Sequence, residues 1–159
     1  MAAGLAQMVA SMSRGKKNYL QHERELSTAI ARLSELREAL KSAIDADAAS
    51  YDAVVKAYKQ AKESSDGEIA ITAALKNATN VPLSVAERSH EVATIAESLK
   101  AITNPKMASD LTVSLALARA AIEGALANVE INLESLTDAA FVAQVRQRAT
   151  KLQPIAAKV

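Results

Sequence analysis

Apolar residues recur every three or four positions along most of the chain, which is the spacing of one face of an α-helix. The longest such stripe lies between Tyr19 and Gly67, in a stretch that contains neither Gly nor Pro. We predict a single helix from about residue 20 to residue 64, ended by the turn-forming sequence Ser-Ser-Asp-Gly. The stripe consists of Leu26, Ile30, Leu33, Leu36, Leu40, Ile44, Tyr51, Val54 or Val55, and Tyr58.

Four further segments have helical spacing and end at residues that break or cap helices. Asn80 is predicted to cap a helix that has Pro82 in its first turn, and Asn104 with Pro105 forms the next break. The predicted helices cover about residues 68–78, 82–102, 109–133 and 138–154, with Ser109 or Asp110 opening the third and Thr137 or Asp138 capping the last. We therefore expect one all-α domain over residues 1–159, an up-and-down type helical bundle with long helices.

The longest predicted helix exceeds the size of one compact domain. At 1.5 Å per residue it measures about 66 Å, whereas a compact globule of 159 residues has a diameter of roughly 40 Å. The helix therefore either bends without help from Gly or Pro, or a second chain covers its overhang. We favour the second possibility and expect an intertwined homodimer.

Composition supports this architecture and narrows the function. Alanine occupies about 35 positions, aromatic residues make up 3%, and the chain has 4 Gly and 3 Pro, which is typical of an all-α protein. The 19 Lys and Arg balance 18 Asp and Glu, so no basic face for nucleic acid is expected. The absence of Cys excludes thiolate chemistry, and 2 His are too few for a His-rich metal site.

The apolar residues at the start of the chain do not have the order of a targeting signal. Residues 1–13 carry no charged side chain and precede Arg14, Lys16 and Lys17. A secretory signal has its basic residues first, and a membrane span needs about 20 apolar residues. We expect a cytoplasmic protein without a membrane segment.

One carboxylate interrupts the long stripe. Asp47 occupies the position between Ile44 and Tyr51 that the spacing predicts to be apolar, whereas Asp45 lies about 200° away around the helix, among charged residues. Burial raises the pKa of a carboxyl group, so a buried aspartate at this position is a candidate general acid. The alternative is a buried aspartate that pairs with a cation or caps a neighbouring helix.

The helix that begins near Asp110 has a face of small and polar residues. Small side chains let two helices approach closely, and the amides of Asn128 and Asn132, one turn apart, need partners if they are buried. These amides either bind a ligand with amide-like edges or form hydrogen bonds between helices. The face consists of Asp110, Ser114, Leu117, Ala121, Gly124 or Ala125, Asn128 and Asn132.

Two shorter motifs have structural explanations as well as functional ones. Glu87 and His90 match a single Glu-x-x-His unit of di-iron bundles, which need two such units, so we interpret His90 as a surface residue and expect no metal. Gly15, Lys16 and Lys17 lack the strand and glycine spacing of a phosphate loop. They form either a helix end with solvated lysines or a pair of cations that holds an anionic tail.

Several segments, taken in order, match a known family. They are Gly15-Lys16-Lys17 with Tyr19, Asp45-Ala46-Asp47-Ala48 with Tyr51, Val81-Pro82-Leu83, Asn104 with Ser109-Asp110, Asn128-Val129 with Ile131-Asn132-Leu133, and Asp138. In their order and spacing these segments resemble the cyclodeaminase and methenyltetrahydrofolate cyclohydrolase family, an all-α folate domain. Two departures are visible: no Gly-Gly-Gly-Ser segment precedes the first helix, and Lys106 stands where the family's loop usually has a second Asn.

The resemblance implies folate-dependent one-carbon chemistry. The reaction is either conversion of 5-formimino-tetrahydrofolate to 5,10-methenyl-tetrahydrofolate and ammonia, or hydrolysis of 5,10-methenyl- to 10-formyl-tetrahydrofolate. It implies Asp47 as the catalytic group and no cofactor beyond the tetrahydrofolate substrate. The substrate-binding residues it implies are Asp110 with Ser109 for the pterin, Lys16 and Lys17 for the glutamate tail, and Asp45, Asn104, Asn128 and Asn132 for the remaining polar wall.

A second class of function is compatible with the same residues. The chain would then be a non-catalytic helical dimer, an interaction module with a degenerate folate site, in which Asp47 is a paired core charge.

Overall fold

The computed structural model describes residues 1–61 and 67–152, which form five α-helices and two short 3-10 helices, with no strand among these residues. The all-α prediction is confirmed. The predicted turn at residues 64–66 and the helix end near Pro154 lie outside the described residues. The α-helices are α1 (Ala2–Ser13), α2 (Glu23–Gln60), α3 (Gly67–Leu99), α4 (Ala108–Leu133) and α5 (Ala139–Thr150), and the 3-10 segments are Lys17–His22 and Pro105–Met107.

The first four helices pack around one hydrophobic core. Helix α3 lies against both α2 and α4, and the short α1 packs on α2, α3 and α4. Alanines on α1 allow the close approach, while α2, α3 and α4 contribute larger aliphatic side chains. The buried residues of this core are Ala3, Ala6, Val9, Ala10, Leu26, Leu33, Leu36, Val92, Ala93, Ala96, Leu99, Leu111, Leu115 and Ala118.

Helix α2 extends far beyond α1. It has 38 residues, about 57 Å at 1.5 Å per residue. The residues of the predicted stripe pack against the core only as far as Leu40. Beyond that point the buried positions are Ala43, Ser50 and Ala57, seven residues apart. The large residues next to them stay exposed: Ile44 at 70%, Tyr51 at 67% and Tyr58 at 49%. This part of the stripe is therefore not buried within a single chain, which agrees with the expectation that one compact domain cannot cover the whole helix.

Pro82 lies inside α3, so the predicted helix break at Asn80 and Pro82 is wrong. Proline has no N–H, and its ring crowds the carbonyl group four residues earlier, which usually kinks or ends a helix. Here that carbonyl belongs to Ala78, and its oxygen accepts a hydrogen bond of 2.9 Å from the side-chain amide of Asn132 on α4. Packing overrides the local stop signal because the neighbouring helix supplies the missing donor.

Helix α5 closes the other end of the bundle over a second apolar cluster that includes Leu83, Ile122 and Val145. Of the two predicted caps, Thr137 and Asp138, the structure shows Asp138, whose carboxylate accepts a hydrogen bond from the backbone N–H of Phe141 at 3.0 Å. The same carboxylate pairs with the Lys76 ammonium at 2.6 Å. These contacts fix the start of α5 against α3.

The segment Pro105–Leu133, which contains α4, is the one described helix long and apolar enough to cross a membrane by length and composition. In the bundle its apolar residues Leu111, Leu115 and Ile122 are buried against other helices. Packing within the single chain accounts for only part of its apolarity, since 28% of its most apolar 18-residue window is buried.

Substitutions at Asp138 should separate capping from ion pairing. Asn retains a capping oxygen but loses the charge, and Ala loses both. We expect the melting temperature at pH 7, followed by circular dichroism, to fall in the order wild type, Asp138→Asn, Asp138→Ala.

The ion-pair part of this effect should depend on pH. The hydrogen bond from Lys76 and then that from Phe141 hold the pKa of Asp138 below its ordinary value. A lowered pKa stabilises the folded state at neutral pH, and this contribution is lost as pH falls through the folded-state value. The difference between wild type and Asp138→Asn should disappear once the pH lies well below the folded-state pKa of Asp138, and a difference that persists there would contradict an electrostatic origin.

Candidate functional site

A cavity of about 310 Å³ opens between α2, α3 and α4 where α1 no longer covers them. Two of its lining residues carry polar side chains, Asp47 on α2 and Asn128 on α4. The rest of the wall is apolar and consists of Leu40, Ala43, Ile44, Val81, Pro82, Val85, Ala121, Gly124 and Ala125. A mostly apolar cavity with a few polar groups is typical of a small-molecule site.

The cavity continues towards α1 as a trough. A neighbouring cavity of about 280 Å³ shares Leu40, Val85 and Ala121 with the first and reaches Met1 and Ala2. Small residues on α4 keep the trough open, because Gly124 and Ala121 add almost no side-chain volume. An elongated ligand therefore has a continuous apolar surface on which to lie.

Asp47 lies in the predicted place, but its predicted burial is wrong for the single chain. Its side chain is exposed, as are those of Ile44 and Tyr51 on the same stripe. The spacing correctly assigned Asp47 to the apolar face of α2, yet in this half of the helix that face borders the cavity instead of the core. Asp45 lies on the exposed side of the helix, as predicted.

The small, polar face of α4 has three different roles along its length. Ser114 is buried and donates a hydrogen bond of 2.9 Å to the backbone carbonyl of Ala2. Gly124 and Asn128 line the cavity. Asn132, by contrast, donates to the Ala78 carbonyl and is not among the lining residues, so the interhelical alternative describes it better than ligand binding.

The other predicted binding residues gather at the opposite end of the bundle. Lys16 and Lys17 are exposed at the start of the 3-10 segment that follows α1. In the turn before them Gly15 has a φ of +72°, a conformation that glycine adopts without strain. The backbone N–H of Asn104 donates to the Ser13 hydroxyl at 3.2 Å, which brings the two loops together. Ser109 and Asp110 lie in the first turn of α4, shortly after Asn104 in the chain. We call Lys16, Lys17, Asn104, Ser109 and Asp110 the polar end.

Within one chain, the polar end and the cavity do not meet. Asp110 and Asn128 are 18 residues apart on α4, about 27 Å along its axis. The sequence placed both groups in one polar wall, and a single protomer does not bring them together.

Metal-ligating side chains do not cluster in the part of the chain that the structure describes, where no three of them lie close enough to hold an ion. The carboxylate of Glu87 is held by Arg148 through two hydrogen bonds of 2.9 Å. The lone Glu-x-x-His unit therefore includes a glutamate that fixes α5 to α3.

Two features were missed from the sequence alone, the open wall at Leu40 and Val85 and the hydrogen bond between Asn132 and Ala78. Leu40 and Val85 look like ordinary core residues, and only the short length of α1 leaves them in an open wall. The pairing of Asn132 with Ala78 had a signal, because a proline within a helical stripe leaves one carbonyl that needs a donor. The sequence does not show which helix supplies that donor.

Comparison with known proteins assigns the chain to a family. Residues 1–151 match the family described as formiminotransferase-cyclodeaminase. The chain belongs to this family. The formiminotransferase-cyclodeaminase match spans both the cavity and the polar end.

Individual members of the formiminotransferase-cyclodeaminase family are similar over nearly the whole chain. The methenyltetrahydrofolate cyclohydrolase of Methylorubrum extorquens is 34% identical over 145 residues, which are 89% of this chain and 70% of that protein. The formimidoyltransferase-cyclodeaminase of Sus scrofa is 33% identical over 156 residues, 96% of this chain but 29% of that protein. The fold matches formiminotetrahydrofolate cyclodeaminase from Thermotoga maritima with a TM-score of 0.90 and 29% identity, covering 98% of this chain and 76% of that chain.

These similarities confirm the family inferred from the sequence and, with it, an enzyme of the cyclodeaminase or cyclohydrolase kind.

Gly124 provides a test of the open cavity wall. An added Cβ at this position meets nothing within 4 Å, so Gly124→Ala should raise the free energy of unfolding by about 0.5–1 kcal/mol through helix propensity alone. The measurement is urea denaturation followed by circular dichroism. Ala127→Gly, at an exposed position of the same helix, is the matched control and should lower stability by a similar amount. A destabilised Gly124→Ala would show that other atoms fill this wall in solution.

Proposed function

We propose that this chain acts on the one-carbon group held at N5 and N10 of tetrahydrofolate, with Asp47 as its proton-transferring group. The observation that supports the proposal is the position of Asp47, a single carboxylate on the wall of an otherwise apolar cavity that also presents the Asn128 amide. Members of the family are named for two such reactions. The volume of about 310 Å³ is at the lower end of the range for small-molecule sites.

Substrate binding changes the environment of the carboxyl group. In the unliganded single chain Asp47 is exposed, but flat rings that lie on the apolar wall exclude water from it. An apolar environment favours the protonated form of a carboxyl group. In this proposal the bound ligand removes water from Asp47, whereas the sequence pattern predicted that the protein core does so.

In the cyclodeaminase reaction, N10 attacks the formimino carbon and forms a tetrahedral centre with a C–N bond to each of three nitrogens. The exocyclic nitrogen leaves as ammonia, which requires a proton on that nitrogen because an amide anion is too basic to leave. The exocyclic nitrogen gains two protons in all: N10 loses its own proton to one of these positions, and Asp47 donates the other. As ammonia leaves, the lone pairs of the two nitrogens that remain, N5 and N10, form the cationic 5,10-methenyl bridge.

The cyclohydrolase reaction uses the same carboxyl group in its other protonation state. Water adds to the methenyl carbon, and Asp47 as carboxylate accepts one proton from that water. The bond from this carbon to N5 then breaks as N5 takes up a proton and the new hydroxyl group gives up its own, which leaves the formyl group on N10 of 10-formyl-tetrahydrofolate. The negative charge of the carboxylate also stabilises the cationic methenyl group before the attack.

We propose that the polar end binds the remainder of the folate and that a second chain supplies it. Asp110 with Ser109 suits the paired N–H donors of the pterin, Lys16 and Lys17 suit the carboxylates of the glutamate tail, and Asn104 completes this wall. Since about 27 Å of α4 separates Asp110 from Asn128, an antiparallel homodimer joins the polar end of one protomer to the cavity of its partner.

The exposed stripe on α2 supports the dimer. Ile44, Tyr51 and Tyr58 lie seven residues apart, which is the heptad spacing of a helix–helix seam. All three side chains are exposed, between 49% and 70%. The stripe borders the cavity, so a partner chain that covers it also narrows the cavity mouth.

Asp47→Asn is the direct test of the catalytic role. We expect turnover to fall by at least about 100-fold, the scale for loss of a general acid or base, with an unchanged circular dichroism spectrum. The assay follows the absorbance of methenyl-tetrahydrofolate. Asp52→Asn, an exposed neighbour on α2, is the control and should stay within about twofold of wild type. Wild-type turnover in Asp47→Asn would remove Asp47 from the mechanism.

The direction of the absorbance change identifies the reaction. Appearance of the methenyl band from the formimino substrate indicates a cyclodeaminase, and its accelerated loss in water indicates a cyclohydrolase. Saturable tetrahydrofolate binding without either change would favour the degenerate interaction module.

Oligomeric state can be tested independently of activity. Light scattering of the purified chain at micromolar concentration should give twice the chain mass of 16.8 kDa. Tyr51→Asp places a charge in the seam and should give the single-chain mass, whereas Lys56→Asp, at an exposed position on α2 outside the stripe, should leave the dimer intact. A monomeric wild type would contradict the proposed dimer.

A further inference from the structure

The hydrogen bond between Asn132 and Ala78 adjoins the wall of the Asp47 cavity. Pro82, whose missing N–H leaves the Ala78 carbonyl without a helix donor, is itself a lining residue. Asn128, the polar α4 residue of the cavity, lies one helical turn before Asn132, about 6 Å along the axis. The bond therefore joins the two helices directly beside the cavity.

The bond compensates for one specific defect in α3. In a regular helix the N–H of residue 82 would donate to the carbonyl of residue 78, and proline removes that donor. A half-buried carbonyl without a partner is costly. The Asn132 amide donates to the Ala78 carbonyl at 2.9 Å. This hydrogen bond persists only while α4 keeps its present axial position relative to α3.

We propose that Asn132 is a positioning residue rather than a substrate ligand. By completing the hydrogen bonding that Pro82 interrupts, it fixes α4 against α3 and sets the position of Asn128 opposite Asp47. Pro82 and Asn132 then act as a unit, because Pro82 removes the helix donor for the Ala78 carbonyl and Asn132 replaces it. The effect on turnover rests on the proposed function, whereas the effect on the cavity wall does not.

A double-mutant cycle tests this coupling in the full chain. Pro82→Ala restores the N–H at residue 82 and with it the helix donor for Ala78. Asn132→Ala alone should raise the tetrahydrofolate Kd or lower kcat/KM by about tenfold, the scale of one unsatisfied acceptor. In the Pro82→Ala background the same substitution should change either quantity by less than about twofold.

A spectroscopic readout reports on the cavity wall without substrate. The backbone amide NMR signals of Gly124 and Asn128 should shift when Asn132→Ala is made in the wild type, and should stay in place when it is made in Pro82→Ala. Asn132→Asp, which keeps the shape but loses the donor, should behave as Asn132→Ala. Asn77→Ala, an exposed asparagine of α3 next to Ala78, should leave these signals unchanged.

Three outcomes would overturn the inference. An equal loss of affinity in both backgrounds would show that Asn132 contacts the ligand directly. Coupling in urea stability alone, with unchanged amide signals and kinetics, would reduce Asn132 to a structural residue. Absence of coupling in every readout would show that the hydrogen bond does not replace the missing donor. If the wild type neither binds nor converts folate, the proposed function fails, and the amide signals still decide whether Asn132 positions the wall.

Discussion

The architecture depends on a mismatch of helix lengths. Helix α1 has 12 residues and α2 has 38, about 18 Å against 57 Å. Where α1 is present, four helices enclose a core of large aliphatic side chains. Beyond it, α5 covers α3 and α4, but α1 no longer covers α2, where small residues such as Ala43 and Ser50 turn inward and larger ones remain exposed. The cavity, the exposed stripe and the proposed dimer all follow from this mismatch.

The cavity combines much apolar surface with very few polar groups. A substrate whose rings cover that surface loses water, and the remaining polar groups then act in an environment of low dielectric constant, where their interactions are stronger. In the proposed reactions Asp47 transfers the protons in this environment, with the Asn128 amide on the same wall. In the proposed function the polar end, far along α4, binds the rest of the substrate, so that binding and chemistry would depend on two chains.

The two sequence predictions that were wrong share a cause. Pro82 was expected to begin a helix, because a proline inside one leaves a carbonyl unpaired, but Asn132 on α4 supplies the donor. Asp47 was expected in the core because its neighbours on the stripe are apolar, but the helix that would cover this stripe ends earlier. In both cases a local pattern was identified correctly, and its outcome depended on a different helix.

The sequence by itself determined the all-α fold, the end of α3 before Asn104 and Pro105, a cap at Thr137 or Asp138 and the apolar face that carries Asp47, because each depends on residues within a few turns of one another. Only the tertiary structure decided that Asp47 meets Asn128 in a cavity, that Asn132 joins α3 instead of that cavity, and that the polar end lies apart from both. These relations depend on where helices start relative to one another and how closely they cross. Spacing along one chain segment does not contain that information.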